Sequence, residues 1–168
     1  MKIKIYAIGK VKDFYKLGVD EYIKRLSNYA QIEVVELKDE SLPDRPSESE
    51  ITKAKNLEGK RVLSLLKDKE YLIALDLNKK EMTSEKFADY ISNKLEANGA
   101  HISFVIGGSY GLSDELKARV NDSVSLSTLT FPHQLARLIL LEQLFRAFKI
   151  LNNETYHKWK TNSSTNLK

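Results

Sequence analysis

"ISFVIGG", residues 102–108, is a nearly continuous apolar run that ends in two glycines. A strand with one face in water alternates apolar and polar residues, whereas a strand covered on both faces stays apolar throughout. The run therefore predicts a strand buried on both sides, as in the parallel sheets of α/β proteins.

Strand and helix patterns alternate on either side of this run. Strand-like segments begin near residues 3, 32, 71, 102 and 123, and helical patterns cover residues 13–29, 47–66, 84–97, 113–120 and 132–151. The alternation predicts an α/β fold with a mainly parallel sheet and helices on both faces. We expect a single domain over residues 1–158, followed by a disordered C-terminal extension at 159–168.

One polar segment interrupts this pattern. "DESLPDRPSESE", residues 39–50, contains two prolines and no apolar periodicity, so it predicts an exposed loop. Such a loop is commonly a linker, but beside the carboxyl edge of a sheet it could also cover a ligand or contact RNA. The sequence leaves both interpretations open.

Composition excludes several kinds of chemistry. The chain of 168 residues has no cysteine and three histidines, so we expect no disulfide, no thiolate metal site and no metal cofactor.

The first residues alternate at period two and lack the apolar core of a signal peptide, and no apolar run is long enough to cross a membrane. We expect a cytoplasmic protein. The net charge of +4 permits nucleic-acid binding without requiring it.

Three segments that end strands share a neutral, loop-like character: "LDLN", "IGGSYG" and "SLSTLTFP". In open α/β sheets, ligands bind at the carboxyl ends of the strands, where these segments meet. The glycines Gly107 and Gly108 allow close approach of a ligand, or serve only a tight turn. No Lys-Ser or Lys-Thr follows them, which disfavours a phosphate-binding loop. Neutral loops with apolar walls suit an adenosyl ligand without phosphate, which points to S-adenosyl-L-methionine.

The helix at residues 132–151 is apolar around most of its circumference. One sheet cannot cover so wide a surface, so we expect a homodimer with its interface centred on this helix, in which Leu141 or Phe145 is an interface residue. Arg137 falls inside the apolar arc and needs either a carboxylate or a ligand. Glu142 and Arg146 are spaced as a helical ion pair.

"YHKWK", residues 156–160, alternates aromatic and basic side chains. This combination can stack on bases and neutralise phosphates, although an aromatic residue near a chain end is often only packed against the domain. His133, which follows Pro132, is interpreted as a residue of the helix start rather than a catalytic base.

The segments "IGGSYGLS", "SLSTLTFPHQLARLILLEQLFRAFKI" and "YHK" resemble the RlmH family. These are SPOUT-class methyltransferases that methylate N3 of a pseudouridine in large-subunit (23S) ribosomal RNA. The resemblance extends from "MKIKIYAIGK" to "YHK". It implies a deep C-terminal trefoil knot, a homodimer and S-adenosyl-L-methionine as methyl donor. Carried over by position, the implied cofactor contacts are Leu75, Gly107, Leu126, Ser127, Thr128, Leu129, Thr130 and Phe131.

Methylation at N3 requires a positioned base and removal of the N3 proton. The catalytic candidates are His157 and Tyr156, reaching the cofactor of the partner chain, with Arg137 or Arg146 orienting RNA or stabilising charge. The resemblance also implies that the substrate is ribosomal RNA within the ribosome or large subunit. Two alternatives remain: a non-catalytic RNA-binding dimer of the same fold, and a nucleotide-dependent enzyme that uses "IGGSYG" to bind phosphate.

Overall fold

Strands and helices alternate along the chain in the computed structural model, which describes residues 1–76, 79 and 81–158. The elements are β1 (Lys2–Ile8), α1 (Asp13–Leu26), β2 (Gln31–Leu37), α2 (Glu48–Leu65), β3 (Leu72–Leu75), α3 (Ser84–Ala97), β4 (His101–Ile106), α4 (Asp114–Arg119), β5 (Asp122–Val124) and α5 (His133–Leu151). The extension expected at residues 159–168 lies outside the described residues.

All pairings between these strands are parallel, and their order is β2-β1-β4-β3-β5. The apolar strand β4 is therefore central. Its side chains alternate between two cores: Ile102, Phe104 and Ile106 face one hydrophobic cluster, and Val105 faces the other. The first cluster lies under α1, α3 and α5, and the second lies under α2 and α4. The α/β prediction is confirmed, with helices on both faces of a parallel sheet.

Local signals at the helix ends explain the element boundaries. Ser47 and Glu50 form a reciprocal capping box at the start of α2, and Ser113 accepts a hydrogen bond from the N–H of Leu116 at the start of α4. The helix α2 begins at Glu48, so the loop predicted for residues 39–50 was three residues too long. Gly99, with φ +63°, ends the turn after α3.

The wide apolar surface of α5 is covered mostly within its own chain. The helix lies between α1 and α3 above the sheet, and Leu140, Leu141 and Leu144 are each 0% exposed. Phe145 is 6% exposed and packs edge-on to Tyr156. The expectation that Leu141 or Phe145 lies in a dimer interface was therefore wrong, whereas an interface formed by other residues of this helix stays a prediction. Two neighbouring helices, rather than one sheet alone, bury this surface.

Candidate active site

A cavity of about 1070 Å³ opens at the carboxyl edge of the sheet. Its walls come from the ends of β3 and β4, the turn after β4, the loop after β5 and the first turn of α5. This is the edge at which the three neutral segments were expected to meet. Five of the eight residues proposed to contact a cofactor line it: Leu75, Gly107, Leu126, Thr130 and Phe131.

The turn after β4 is close-packed around its glycines. A Cβ on Gly107 would lie 2.8 Å from the carbonyl carbon of Gly111, so the chain itself requires glycine there. Gly111 has φ +85°, and its N–H donates to the carbonyl oxygen of Gly108 at 3.1 Å. The two interpretations of these glycines are compatible, because this turn both folds tightly and forms one wall of the cavity.

The loop after β5 is held by its own hydroxyls. Ser125 donates to the carbonyl oxygen of Ser127 at 2.9 Å, and Ser127 Oγ accepts from the N–H of Leu129 at 3.0 Å. The N–H of Thr128 bonds to the carboxylate of Glu81. Ser127, Thr128 and Leu129 are not among the residues that line the cavity, and Leu129 is 69% exposed. In this chain the hydroxyl-rich loop therefore uses polar groups to stabilise its own conformation.

Four residues of the cavity wall were missed as functional candidates: Lys79, Tyr110, Lys117 and His133. Burial, followed by the nearby charge of Arg137, lowers the pKa of His133, which favours the neutral imidazole. Its position immediately after Pro132, at a helix start on the carboxyl edge, was the available signal. Tyr110 lies within "IGGSYG", which was expected at this edge, whereas Lys79 and Lys117 carry no motif and are brought to the cavity only by the fold.

Arg137 is buried beside the cavity rather than open to it. Its guanidinium is 1% exposed, donates to Glu36 at 2.6 Å and donates to the carbonyl oxygen of Gly9 at 2.9 Å. Nε has no hydrogen-bond partner among the described residues. Burial would raise the pKa of Glu36, but hydrogen bonds from Arg137 and from the N–H of Val11 outweigh it and lower that pKa. The required carboxylate is thus Glu36.

The other three catalytic candidates meet in one polar cluster on the outer side of α5. Glu142 accepts from Arg146 Nε at 3.0 Å and from the hydroxyl of Tyr156 at 3.2 Å. His157 Nδ1 lies 3.0 Å from Arg146, and its Nε2 lies 3.0 Å from Glu85. Arginine can only donate, so Nδ1 is the acceptor here and the neutral ring carries its proton on Nε2. We call these five residues the tail cluster.

The tail cluster and the cavity are apart within one chain. Arg146 follows Ala136, the furthest cavity-lining residue along α5, by ten positions, which is about 15 Å along a helix axis. A smaller cavity of about 150 Å³, lined by Leu126, Ile139 and Gln143 among others, lies between them. A single chain therefore does not bring its own Tyr156 and His157 to its own cavity.

Within the described ranges, no group of three or more acidic or histidine side chains is arranged to hold a metal ion. None of the described helices is both long and apolar enough to cross a membrane.

The chain is similar in sequence to proteins described or named as methyltransferases. The family described as predicted SPOUT methyltransferase matches residues 1–157. A protein of Clostridium perfringens strain SM101 named ribosomal RNA large subunit methyltransferase H 1 is 50% identical over 159 residues, which is 94% of this chain and 100% of that protein. An Enterococcus faecalis protein named ribosomal RNA large subunit methyltransferase H is 43% identical over 159 residues, which is again 94% of this chain and 100% of that protein.

Among solved structures, a probable methylase family protein from Haemophilus influenzae Rd KW20 is similar in fold. The TM-score is 0.52 at 15% identity, over 95% of this chain and 72% of that one.

Proposed function

Because the chain belongs to the SPOUT methyltransferase family, we propose that it transfers a methyl group from S-adenosyl-L-methionine to N3 of a pseudouridine in large-subunit ribosomal RNA. The names of the 50% and 43% identical relatives support ribosomal RNA as the substrate. Folded RNA in the ribosome or large subunit is the proposed form of that substrate, and the cytoplasm is its proposed location. The trefoil knot is part of the same proposal, because the family implies it.

The cavity fits an adenosyl ligand. Leu75, Leu126 and Phe131 supply apolar walls, and Gly107 contributes backbone to the same lining. The volume of about 1070 Å³ leaves room for a nucleobase beside the cofactor. When bound, the cofactor supplies an electrophilic methyl group on a sulfonium. The proposed contacts remain the eight named from the family, with Ser127, Thr128 and Leu129 acting through the loop conformation.

The separation of the cavity and the tail cluster supports a homodimer with shared sites as part of this proposal. Phe14 and Leu17, on the first turns of α1, are 87% and 82% exposed. They lie close to the N-terminal half of α5, since a Cβ on Gly18 would be 3.1 Å from the side chain of Leu138. This apolar surface borders the cavity end of α5, so a second copy docked there could place its Tyr156 and His157 at the cavity.

The chemistry assigned to these residues is proton removal and positioning. The N3–H proton must leave as the N3–carbon bond forms and the carbon–sulfur bond breaks. Burial and the neighbouring Tyr22 and Glu142 raise the pKa of Tyr156, so this phenol keeps its proton at neutral pH and serves as a donor. His157 then accepts the N3 proton through Nδ1, while Arg146 turns to RNA phosphate. Arg137 acts as a positioning residue by holding the end of β1 beside the cavity.

The experiment is methylation of large ribosomal subunits from a strain that lacks this gene, with mass spectrometry of the RNA. We expect one added methyl group at a single pseudouridine, dependent on S-adenosyl-L-methionine. Titration calorimetry with S-adenosyl-L-methionine separates the alternative, because a non-catalytic RNA-binding dimer would show RNA binding without cofactor binding. Methylation of a different nucleotide would contradict the proposed target alone.

A further inference from the structure

The turn after β4 projects a tyrosine beside the cavity. Tyr110 is 47% exposed and lines the cavity from the tip of the turn between Gly108 and Gly111. Among the described residues, its ring contacts no other aromatic ring or cation, and its hydroxyl has no hydrogen-bond partner. An aromatic side chain without an aromatic, cationic or hydrogen-bonding partner at the mouth of a cavity is available to a ligand.

The backbone beneath Tyr110 is anchored on both sides. Ile106 and Leu112 are 5% and 7% exposed, and Gly111 pairs with Gly108 across the turn. The carboxylate of Glu58 supports the turn from behind, since a Cβ on Gly108 would lie 3.1 Å from it. A ring held on such a turn loses little backbone freedom when a ligand binds, so stacking on it is favoured.

Two lysines line the same cavity. Neither Lys79 nor Lys117 has an ion-pair or hydrogen-bond partner for its ammonium group among the described residues. Asp76 also lines the cavity and offsets the charge of one lysine. S-adenosyl-L-methionine carries a sulfonium and an ammonium against one carboxylate, so it is a poor match for the positive charge that remains. Phosphate is the better match for both, and a strand of RNA supplies phosphates and flat bases together.

We propose that Tyr110 stacks on a base of the substrate RNA beside the target nucleotide, while Lys79 and Lys117 contact the flanking phosphates. This inference rests on the proposed function. Tyr110, at the tip of the turn, is then a substrate-positioning residue, whereas Gly107 at the start of the same turn is a proposed contact to the cofactor. Tyr110 and the two lysines then add to the RNA-binding surface of a small domain.

The test compares three substitutions at Tyr110. Tyr110→Ala and Tyr110→Leu should raise KM for large ribosomal subunits at least about tenfold, because alanine removes the ring and leucine keeps apolar bulk without a flat π face. Tyr110→Phe should restore KM to within about twofold of wild type. Affinity for S-adenosyl-L-methionine, measured by calorimetry, and the sedimentation of the protein should be unchanged in all three.

The role of Lys79 and Lys117 is tested by a separate measurement. Lys79→Ala or Lys117→Ala should weaken binding of large subunits and reduce the slope of log Kobs against log salt concentration by about 0.7 each. The matched control is Lys24→Ala, which removes one exposed charge at the far end of α1 and should leave affinity and slope unchanged.

Several results would overturn the inference. An unchanged KM for Tyr110→Ala or full activity of Tyr110→Leu would show that the ring does not stack on RNA. Loss of cofactor affinity in these variants would assign the ring to the cofactor. Loss of the dimer would assign it to the partner chain. Failure of the wild-type protein to methylate subunits would contradict the proposed function instead, and subunit binding by the variants would still test the role of Tyr110.

Discussion

At the residue scale, the pair of Arg137 and Glu36 makes a stability prediction. Glu36→Gln leaves a guanidinium that is 1% exposed without its carboxylate, so we expect a loss of about 2 kcal/mol in the free energy of unfolding at pH 7. Urea denaturation measures it. Glu33→Gln is the matched control on the same strand, because its pair with Lys2 is exposed and should contribute less than about 1 kcal/mol.

The same pair sets a pH dependence. The pKa of Glu36 is lowered in the folded state, so its stabilisation is complete above the unfolded value of about 4.3 and is lost as pH falls through the lower folded value. The stability difference between wild type and Glu36→Gln should therefore shrink below about pH 4. A difference that grows on acidification would contradict this assignment.

Glu58 gives the opposite dependence of stability on pH. Burial, followed by the charge of Asp39, raises its pKa to about 7. The folded state then holds a proton that the unfolded state releases, so stability falls as pH rises from about 4.3 to about 7. Glu58→Gln should remove this loss and stabilise the protein at pH 8 relative to wild type, by about 1 kcal/mol after solvent screening, with little change at pH 4. Unfolding curves at the two pH values would show it.

At the element scale, α5 is a core helix. Leu141→Ala should lower the free energy of unfolding by about 3 kcal/mol, because Leu141 is 0% exposed and truncation leaves a cavity. Leu151→Ala, at the 36% exposed end of the same helix, should change it by less than about 1 kcal/mol. Thermal and urea unfolding compare the two. Equal effects would mean that this helix is not packed between α1 and α3 as described.

At the scale of the whole molecule, the first turns of α1 are predicted to hold the dimer together. Phe14→Asp and Leu17→Asp change residues that are 87% and 82% exposed, so the chain should fold and sediment as a monomer that still binds S-adenosyl-L-methionine. Methylation of subunits should fall at least about a hundredfold, since the partner's tail is lost. Leu65→Asp, at a 50% exposed position on the opposite face of the sheet, is the control and should leave the dimer intact.

Mixed dimers test whether the sites are shared. One subunit ends before Tyr156, and the other carries Phe131→Asp in the cavity wall. If the tail serves the partner's cavity, one of the two sites combines both defects and the other is intact, so about half of the wild-type activity per heterodimer should return. If each tail served its own chain, both sites would be defective, and no activity above that of the separate homodimers would be recovered.

The sequence by itself determined the local structure and the fold class. The apolar run at 102–108 and the alternating strand and helix patterns depend on residues close together in the chain, so they could be interpreted directly. The cavity at the carboxyl edge followed as well, because parallel strands place their following loops together. The position of Arg137 in the apolar arc of its helix predicted that it needs a carboxylate or a ligand.

Only the tertiary structure decided which partners meet across the fold. It joined Arg137 to Glu36 over 101 positions, placed α5 between α1 and α3, and brought Lys79, Tyr110 and Lys117 to one cavity. It also showed that the tail cluster lies away from that cavity within one chain. The physical reason is that helical and strand periodicity report which face of an element is apolar, whereas the identity of whatever covers that face depends on chain packing between distant segments.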